Sequence, residues 1–157
     1  KAKSVHNELF EAYAYNEVSL MRQTHLASKI KIKINDEIKM KELICDGVLV
    51  STSAGSTAYN LSAHGSILPL DSNILALTPI SAFRPRRWRG ALLSEKSKIE
   101  FLVLDNKDRS SSVTADNVEF RNIDKVSIES SNENKCTVLF DSQHSIEDKI
   151  LNEQFNF

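Results

Sequence analysis

The segment Cys45–Gly65, CDGVLVSTSAGSTAYNLSAHG, carries the residues whose types and spacing best suit chemistry. Its apolar residues Val48–Val50 predict a buried strand, which leads into seven small or hydroxylated residues at Ser51–Thr57 and then a helix start. Small side chains let a ligand approach the backbone, and free amides at a helix start favour anions. The segment therefore predicts a loop for a polar, phosphate-bearing ligand. Helix capping alone explains the same residue types, and local features leave both interpretations open.

Other reactions fit these residues less well. The sequence contains neither GxxxxGK[ST] nor GxGxxG, which argues against a Walker-type nucleotidase and a Rossmann domain. A serine hydrolase needs three residue types that are present, in Ser53, His64 or His144, and Asp46. The motif GxSxG is absent, however, and these residue types occur together in most chains of this length, so a hydrolase is not favoured.

The stretch Asp46–Pro69, DGVLVSTSAGSTAYNLSAHGSILP, resembles the NAD kinase family. The family pattern runs Gly-Asp-Gly, an apolar strand, Ser-Thr-Pro-x-Gly-Ser-Thr-Ala-Tyr and then Ser-x-Gly-Gly-Pro. Satellite motifs occur in the family order at Asn16-Glu17-Val18, Leu77–Ile80, Phe83–Pro85 and Val113–Asp116. A near-match of nine residues with ordered satellites, covering about Tyr15 to Asp116, is far more specific than one motif.

The resemblance implies a reaction and a division of labour. Members of the family transfer the γ-phosphoryl group of ATP, with a divalent cation such as Mg²⁺, to the 2′-hydroxyl of the adenosine ribose of NAD, giving NADP. Their N-terminal α/β half carries a Gly-Gly-Asp-Gly motif with the expected base, and their C-terminal half is β-rich and binds NAD. Nothing between Lys1 and Asn16 matches that motif, so the chain resembles the C-terminal half alone. We expect it to hold no catalytic residue or metal ligand and to be nearly inactive by itself.

The resemblance also assigns residues to NAD. Asn16 and Glu17 would hold the adenosine ribose, because ribose hydroxyls donate to a carboxylate. Tyr59 would be an apolar wall of the adenine pocket. The other assigned residues are Thr57 and Ala58 in the same pocket, Ser62, Asp46 near the nicotinamide ribose or amide, and Asp116 toward a neighbouring subunit's ligand. Without a ligand these would be turn or core residues, and a non-catalytic dinucleotide-binding or assembly module of the same fold is the alternative function.

Five positions depart from the family pattern. Cys45 replaces a Gly, which either adds bulk beside the ligand or packs inward from a strand. Ser53 replaces a Pro and loosens the loop, and Ala54 replaces a common Thr or Ser. His64 and Asn117 stand where Gly is usual, and both residue types tolerate left-handed backbone. For His64 we favour such a helix exit over a catalytic role.

The densest positive cluster of the sequence consists of Arg84, Arg86, Arg87 and Arg89. Guanidinium groups next to an indole, here Trp88, bind phosphates or stack on nucleobases. Because the chain is not basic overall, we favour a contact between subunits over nucleic acid. The resemblance likewise implies a homo-oligomer, either a dimer or a tetramer.

The elements that position these residues show mainly period-two alternation. Lys29–Lys41 predicts a β-hairpin that turns at Asn35-Asp36. Polar turns separate five further predicted strands, at 98–104, 112–115, 118–123, 126–130 and 135–140. Short helices are predicted at Thr57–Ala63, ending at Gly65, and at Ser145–Phe155. The fold class is therefore mainly β, a two-layer antiparallel sandwich-like domain over residues 1–157.

Composition restricts the partners and the compartment. The 157 residues include 20 Lys and Arg against 21 Asp and Glu, and a net charge of -1 opposes non-specific attraction to nucleic acid or anionic membranes. No apolar run approaches the ~20 residues that cross a bilayer. Two cysteines without CxxC spacing predict neither a disulfide framework nor a zinc site, which fits the cytoplasm. The first residues lack an initiating Met and a secretion signal, so we expect a piece of a longer chain.

Overall fold

Two six-stranded antiparallel sheets form the body of the computed structural model, which describes residues 1–131, 133–134, 136–137, 139 and 146–155. In spatial order, the first sheet contains β2 (Leu9–Phe10), β1 (Ala2–Ser4), β12 (Ile123–Ile128), β9 (Ile99–Leu104), β4 (Ser28–Ile34) and β5 (Glu37–Cys45). The second contains β11 (Val118–Phe120), β10 (Ser111–Ala115), β3 (Glu17–Arg22), β6 (Gly47–Ser51), β7 (Ile74–Ile80) and β8 (Ala91–Ser94). Between β6 and β7 lie a 3-10 helix (Ala54–Thr57) and the short helix α1 (Tyr59–Ser62), and α2 spans Ile146–Phe155.

Apolar side chains from both sheets fill the space between them. Phe101 and Ile32 from the first sheet and Leu20 and Val48 from the second are almost wholly buried in one continuous cluster. Removal of this apolar surface from water is the main force that holds the sheets together. The predicted mainly β, two-layer antiparallel fold with few helices is confirmed.

The predicted hairpin is confirmed as β4 and β5. Along β4, Ile30, Ile32 and Ile34 are buried while the intervening lysines are half-buried. Asn35 and Asp36 have φ values of 51 and 65, the left-handed pair that a tight two-residue hairpin turn requires. Alternation and turn chemistry thus agree at this site.

The strands near the C-terminal end of the first sheet differ from the prediction in their limits. A single strand was predicted at 118–123, but β11 ends at Phe120 and β12 begins at Ile123. Asn122 between them has a φ of 55, so the chain turns there and Ile123 joins the other sheet. The strand predicted at 126–130 accordingly begins earlier, at Ile123, and ends at Ile128. Of the strand predicted at 135–140, residues 135, 138 and 140 lie outside the described residues, and the described residues 136, 137 and 139 are not in a strand.

Several strands had no clear sequence signal. Strand β7 contains Pro79, which normally argues against a central strand because proline cannot donate a backbone hydrogen bond. Strand β8, however, pairs only with residues 74–77 of β7, so Pro79 interrupts no hydrogen bond between β7 and β8. The strands β1, β2, β3 and β8 were also not predicted, since two are very short and none alternates cleanly.

The helices agree with the prediction in place but not in detail. The chain from 54 to 62 divides into the 3-10 helix and α1, separated by Ala58 with a φ of -92 and a ψ of -127. His64 has a φ of 62, so the left-handed residue at the end of the helix is His64. This agrees with the expectation for His64, which stands where the family usually has Gly. The predicted helix end at Gly65 lies one residue too late. Helix α2 matches the predicted segment Ser145–Phe155, of which the first residue, Ser145, lies outside the described residues.

The outer face of the second sheet positions the loop and α1. Residues Ser19, Leu49 and Thr78 stand opposite one another on β3, β6 and β7 and are buried, although none belongs to the cluster between the sheets. Helix α1 contacts β6, and its Asn60 is bonded to Thr78. The segment after β6 therefore lies over the outer face of this sheet.

Candidate functional site

The buried side chain of Asn60 fixes the shape of the loop after β6. Its amide donates to the carbonyls of Ser56 and Ser66, at 3.0 and 2.9 Å, and its carbonyl accepts from the Thr78 hydroxyl at 2.7 Å. Asn60 is fully buried, so these three bonds satisfy groups that water cannot reach. A Cβ on Gly65 would lie 2.0 Å from the Asn60 carbonyl oxygen, which explains why Gly occupies that position.

The serine hydroxyls of the loop are used to hold the loop itself. Ser56 donates to the Ser53 carbonyl at 2.8 Å and accepts from the Leu68 N–H at 3.0 Å. The Ser53 hydroxyl lies 2.9 Å from the hydroxyl of Ser72. These residues therefore have a structural role.

Asn16 and Glu17, far away in the sequence, meet this loop. Thr52 donates its backbone N–H to the Asn16 carbonyl at 2.9 Å and its hydroxyl to the Tyr15 carbonyl at 2.7 Å. A Cβ on Gly55 would lie 2.2 Å from the Asn16 carbonyl oxygen, so only Gly permits this approach. The structure thus brings Asn16 and Glu17 against the small-residue loop.

Asp116 holds the same segment from the other side. Its carboxylate accepts the backbone N–H groups of Tyr15, Asn16 and Glu17 at 2.6, 3.0 and 3.1 Å. Asp116 has a φ of 49, so the left-handed residue of the turn between β10 and β11 is Asp116 and not Asn117, where the family pattern suggested it. An Asp tolerates this conformation because its short side chain bonds locally.

The carboxylate of Glu17 lies between these parts with an oxygen that lacks a partner. Its Oε2 atom is buried and accepts no hydrogen bond among the described residues, although the side chain as a whole is half-buried. Burial raises the pKa of Glu17 first, the charge of Asp116 raises it further, and the backbone N–H of Tyr59 opposes the rise. A buried acceptor without a donor is unusual, and it is suited to a ligand hydroxyl.

Tyr59 lies at the exposed surface of α1, where the charges of Asp46 and Glu17 act on it. Its hydroxyl lies 3.8 Å from the Met21 sulfur, and its ring is partly exposed. Partial burial raises the pKa of Tyr59, and the charges of Asp46 and Glu17 raise it further. The ring therefore offers an apolar surface flanked by acceptors.

Asp46 is held by an arginine that the sequence analysis did not single out. The Arg22 Nε atom donates to the Asp46 carboxylate at 2.6 Å, and its terminal nitrogen donates to the Thr24 carbonyl at 2.6 Å. Asp46 remains partly exposed beside this pair. The pairing of Met21 with Gly47 places Arg22 next to Asp46, a long-range relation that no local motif shows.

Three further assigned residues present their side chains without internal bonds. Thr57 and Ala58 are half-buried, and Ser62 is exposed. Within the part of the chain that the structure describes, no hydrogen bond holds the side-chain groups of Asn16, Thr57 or Ser62. The polar residues thus divide into a set that builds the loop and a set whose groups remain available.

The hydrolase interpretation finds no support in this arrangement. The Ser53 hydroxyl is bonded to Ser72, and the Asp46 carboxylate is bonded to Arg22. His64 is exposed at the helix exit, and His144 lies outside the described residues. Cys45 is also not a nucleophile, because burial raises its pKa to about 12 and the side chain packs inward.

The arginine cluster forms an exposed loop after β7. All four of its arginines are exposed, and the guanidinium of Arg86 lies 5.2 Å from the centre of the Phe83 ring. Trp88 packs against the core, and Arg84 exchanges backbone hydrogen bonds with Ile44. Among the described residues none of the four forms an ion pair.

A cleft of about 1300 Å³ opens beside the site and is lined in part by Glu17, Thr52 and Asp116.

The described residues contain no group of three His, Cys, Asp or Glu side chains able to hold a metal ion. No helix in the described ranges is long and apolar enough to span a membrane.

The family model of the ATP-NAD kinase C-terminal domain matches residues 15–139, so the chain belongs to this family. The predicted resemblance is confirmed. Among curated relatives, the NAD kinase of Xylella fastidiosa strain 9a5c is 56% identical over 145 residues, which are 92% of this chain and 56% of the relative. The NAD kinase of Hyphomonas neptunium is 49% identical over 157 residues, 100% of this chain and 62% of the relative. The chain thus spans 56% and 62% of the length of these relatives.

Two solved structures share the fold. Yeast NADH kinase complexed with NADH has a TM-score of 0.64 and 26% identity over 73% of this chain and 34% of that protein. An NAD kinase from Archaeoglobus fulgidus in complex with ATP has a TM-score of 0.67 and 26% identity over 76% of this chain and 46% of that protein. Each neighbour thus binds a nucleotide, NADH in the first and ATP in the second.

Proposed function

We propose that this chain is the NAD-binding part of an NAD kinase, which transfers the γ-phosphoryl group of ATP to the 2′-hydroxyl of the adenosine ribose of NAD. One observation carries the proposal: the buried Glu17 oxygen without a partner lies where Asn16 and Glu17 meet the small-residue loop. Ribose hydroxyls are the donors that such an oxygen lacks. The family membership and the nucleotides bound by the two structural neighbours support the same assignment.

In this proposal the residues of the chain bind and orient the acceptor. Glu17 and the Asn16 amide hold the adenosine ribose, and Tyr59 forms a wall for the adenine next to Thr57 and Ala58. Ser62 and Asp46 lie further along the dinucleotide, with Asp46 oriented by Arg22. A direct contact of Asp116 with NAD stays a prediction, because its carboxylate already accepts three backbone bonds.

Phosphoryl transfer depends mainly on the alignment of donor and acceptor, so a rigid acceptor site is a substantial contribution to the rate. We propose that the base and most contacts to ATP come from an N-terminal α/β half, and that residues 1–157 form one domain beside it. A divalent cation would then arrive with the phosphates of ATP. The chain alone should show almost no turnover.

A titration of the full-length protein with NAD, with and without ATP, tests this function. We expect NAD to bind without ATP and NADP to form only when ATP is present. Tyr59→Ala should weaken NAD binding about tenfold, since an aromatic ring stacked on a base contributes on the order of 1–3 kcal/mol. Leu61→Ala is the matched control, because Leu61 lies on the same helix with a similar exposure of 39% against 37% for Tyr59.

The outcomes separate the candidate functions. NAD binding without NADP formation would favour the non-catalytic dinucleotide-binding module. Equal losses for Tyr59→Ala and Leu61→Ala would mean that helix α1 matters for folding alone. No binding of NAD or NADH by the full-length protein would contradict the proposal.

We also propose a homo-oligomer in the cytoplasm. The exposed arginine loop and the exposed edge strands β5 and β8 are the candidate contacts between subunits. Cys45 and Cys136 are both free, which suits a reducing compartment. Sedimentation of the full-length protein, compared with a variant in which Arg86 and Arg87 are changed to Ser, tests the arginine contact.

A further inference from the structure

The side chain of Asp116 is bonded to backbone groups of the site. Three consecutive N–H groups, those of Tyr15, Asn16 and Glu17, converge on its two oxygens at 2.6, 3.0 and 3.1 Å. The Asp116 N–H in turn donates to the Glu17 carbonyl at 3.1 Å. Four bonds therefore connect one residue to the segment that carries Asn16 and Glu17.

A carboxylate suits this task better than any other side chain. Its two oxygens offer about four acceptor positions and no donor, so they can receive three N–H groups at once. Hydrogen bonds from backbone N–H groups to a charged acceptor are also stronger than neutral ones. An amide in its place would turn an NH₂ group toward at least one of these donors.

The opposite side of the segment is held by Thr52. Its hydroxyl accepts the Gly55 N–H at 3.1 Å and donates to the Tyr15 carbonyl at 2.7 Å. Asp116 thus binds the N–H groups and Thr52 binds the carbonyl groups of the same short segment. The two contacts together leave the segment little freedom to rotate about its backbone.

We infer that Asp116 is a positioning residue, which fixes the backbone of 15–17 so that the Asn16 amide and the Glu17 carboxylate face the dinucleotide. The inference rests on the proposed NAD site. It differs from a direct contact of Asp116 with a ligand, because backbone N–H groups already take three of the about four acceptor positions of its carboxylate.

The negative charge of Asp116 has a second effect on the same site. Two titratable groups face the Glu17 carboxylate: Asp116 on the turn after β10 and Tyr59 on α1. Loss of the charge of Asp116 should lower the pKa of Glu17, since that charge is one of the causes that raise it. NAD binding weakens in acid as Glu17 takes up a proton, and this loss of affinity, the acid limb of the pH profile, should then occur at lower pH.

The test compares Asp116→Asn and Asp116→Ala with Asp108→Asn in the full-length protein. Asp108 is an exposed Asp on the turn that precedes β10, at the opposite end of this strand from Asp116, so it controls for the loss of one charge. We measure KM for NAD and for ATP against pH, and hydrogen exchange of a peptide covering residues 12–18. The wild-type amides of 15–17 should be protected.

For Asp116→Asn we expect KM for NAD to rise about tenfold, KM for ATP to change less than about twofold, and exchange at 15–17 to accelerate. The acid limb should shift to lower pH, and Asp116→Ala should show a larger KM effect. Asp108→Asn should resemble the wild type. These results support positioning by Asp116.

Either of two results with a folded Asp116 variant would overturn the inference. A raised KM for NAD with unchanged exchange at 15–17 would mean that Asp116 contacts the ligand directly, while the proposed function would stand. Faster exchange with unchanged KM and an unchanged pH profile would mean that the segment does not present the ligand groups. If the wild-type protein forms no NADP and binds no NAD, the proposed function fails, and the NAD part of the inference fails with it. Should a variant fold poorly, exchange at 15–17 in the wild type decides, because fast exchange there contradicts the bonds to Asp116.

Discussion

The β4–β5 hairpin and the loop after β6 are held in place by opposite kinds of interaction. In the hairpin, Ile30, Ile32 and Ile34 bury apolar surface, and the turn fits its two left-handed residues. In the loop, polar bonds of Asn60 and Ser56 fix the backbone. No buried side-chain polar atom of the hairpin lacks a hydrogen-bond partner, whereas the loop region leaves the Glu17 Oε2 atom without a donor.

The difference between apolar and polar interactions predicts which property each region affects, stability alone or stability together with NAD affinity. Apolar burial is non-directional and adds to stability in proportion to area. Polar bonds are directional, and they hold a backbone in a shape that apolar contacts alone would not specify. Substitutions in the hairpin should therefore change stability without changing NAD affinity, and substitutions in the loop should change both.

The largest loss of stability is expected for Ile30→Ala. Ile30 is fully buried in the main cluster, and removal of its side chain leaves a cavity, so the free energy of unfolding should fall by about 3 kcal/mol. Urea unfolding measures this change, and NAD affinity should stay within about twofold. Lys31→Ala, one residue away on the opposite face, should cost under about 0.5 kcal/mol. A tenfold loss of NAD affinity in folded Ile30→Ala protein would contradict the separation of the two regions.

A smaller loss of stability, with a clear loss of affinity, is expected for Asn60→Ala. The change leaves two backbone carbonyls and the Thr78 hydroxyl unsatisfied in a buried place, at a cost of about 2 kcal/mol. NAD affinity should fall about tenfold because α1 is no longer fixed. Thr78→Val removes one of the three bonds and should show a smaller change in the same direction. Unchanged affinity in both variants would show that α1 does not need this network.

The hairpin and the identity of the loop were predictable from the sequence, and the contacts between distant segments were not. The alternating isoleucines and the Asn35-Asp36 turn predict the hairpin from residues that are only a few positions apart in the sequence. The resemblance pointed to Asn16 and Glu17, but the bonds from Asp116 and Thr52 join residues far apart in the sequence. Strand pairing creates these neighbours, and no local pattern encodes it.

Asn60 and Arg22 show why other contacts of the site could not be predicted from the sequence. Asn60 follows the recognised Ser-Thr-Ala-Tyr run and looks like an ordinary surface polar residue, since burial of an amide depends on the partners that tertiary structure supplies. Arg22 reaches Asp46 only because β3 pairs with β6.

Glu17→Gln is the variant that bears most directly on the proposed site. The pKa of Glu17 is raised in the folded state. Between the usual pKa and the raised pKa, the native protein therefore binds more protons than the unfolded chain. The contribution of Glu17 to stability is therefore present below its usual pKa and is lost as pH rises through the raised pKa. A Gln cannot ionise, so the variant should be at least as stable as the wild type at pH 7, with the difference vanishing in acid.

The decisive measurement is NAD titration calorimetry of Glu17→Gln in the full-length protein, with Glu119→Gln as the matched control. Glu119 is exposed and forms an ion pair with Arg121 at 3.4 Å. We predict that Glu17→Gln binds NAD at least about tenfold more weakly without loss of stability, since a bond to a charged group contributes roughly 1.5–3 kcal/mol. Wild-type affinity should also decline on acidification through the raised pKa of Glu17, and that of Glu17→Gln should not. Binding of NAD by Glu17→Gln as tightly as by Glu119→Gln would contradict the assignment of this site.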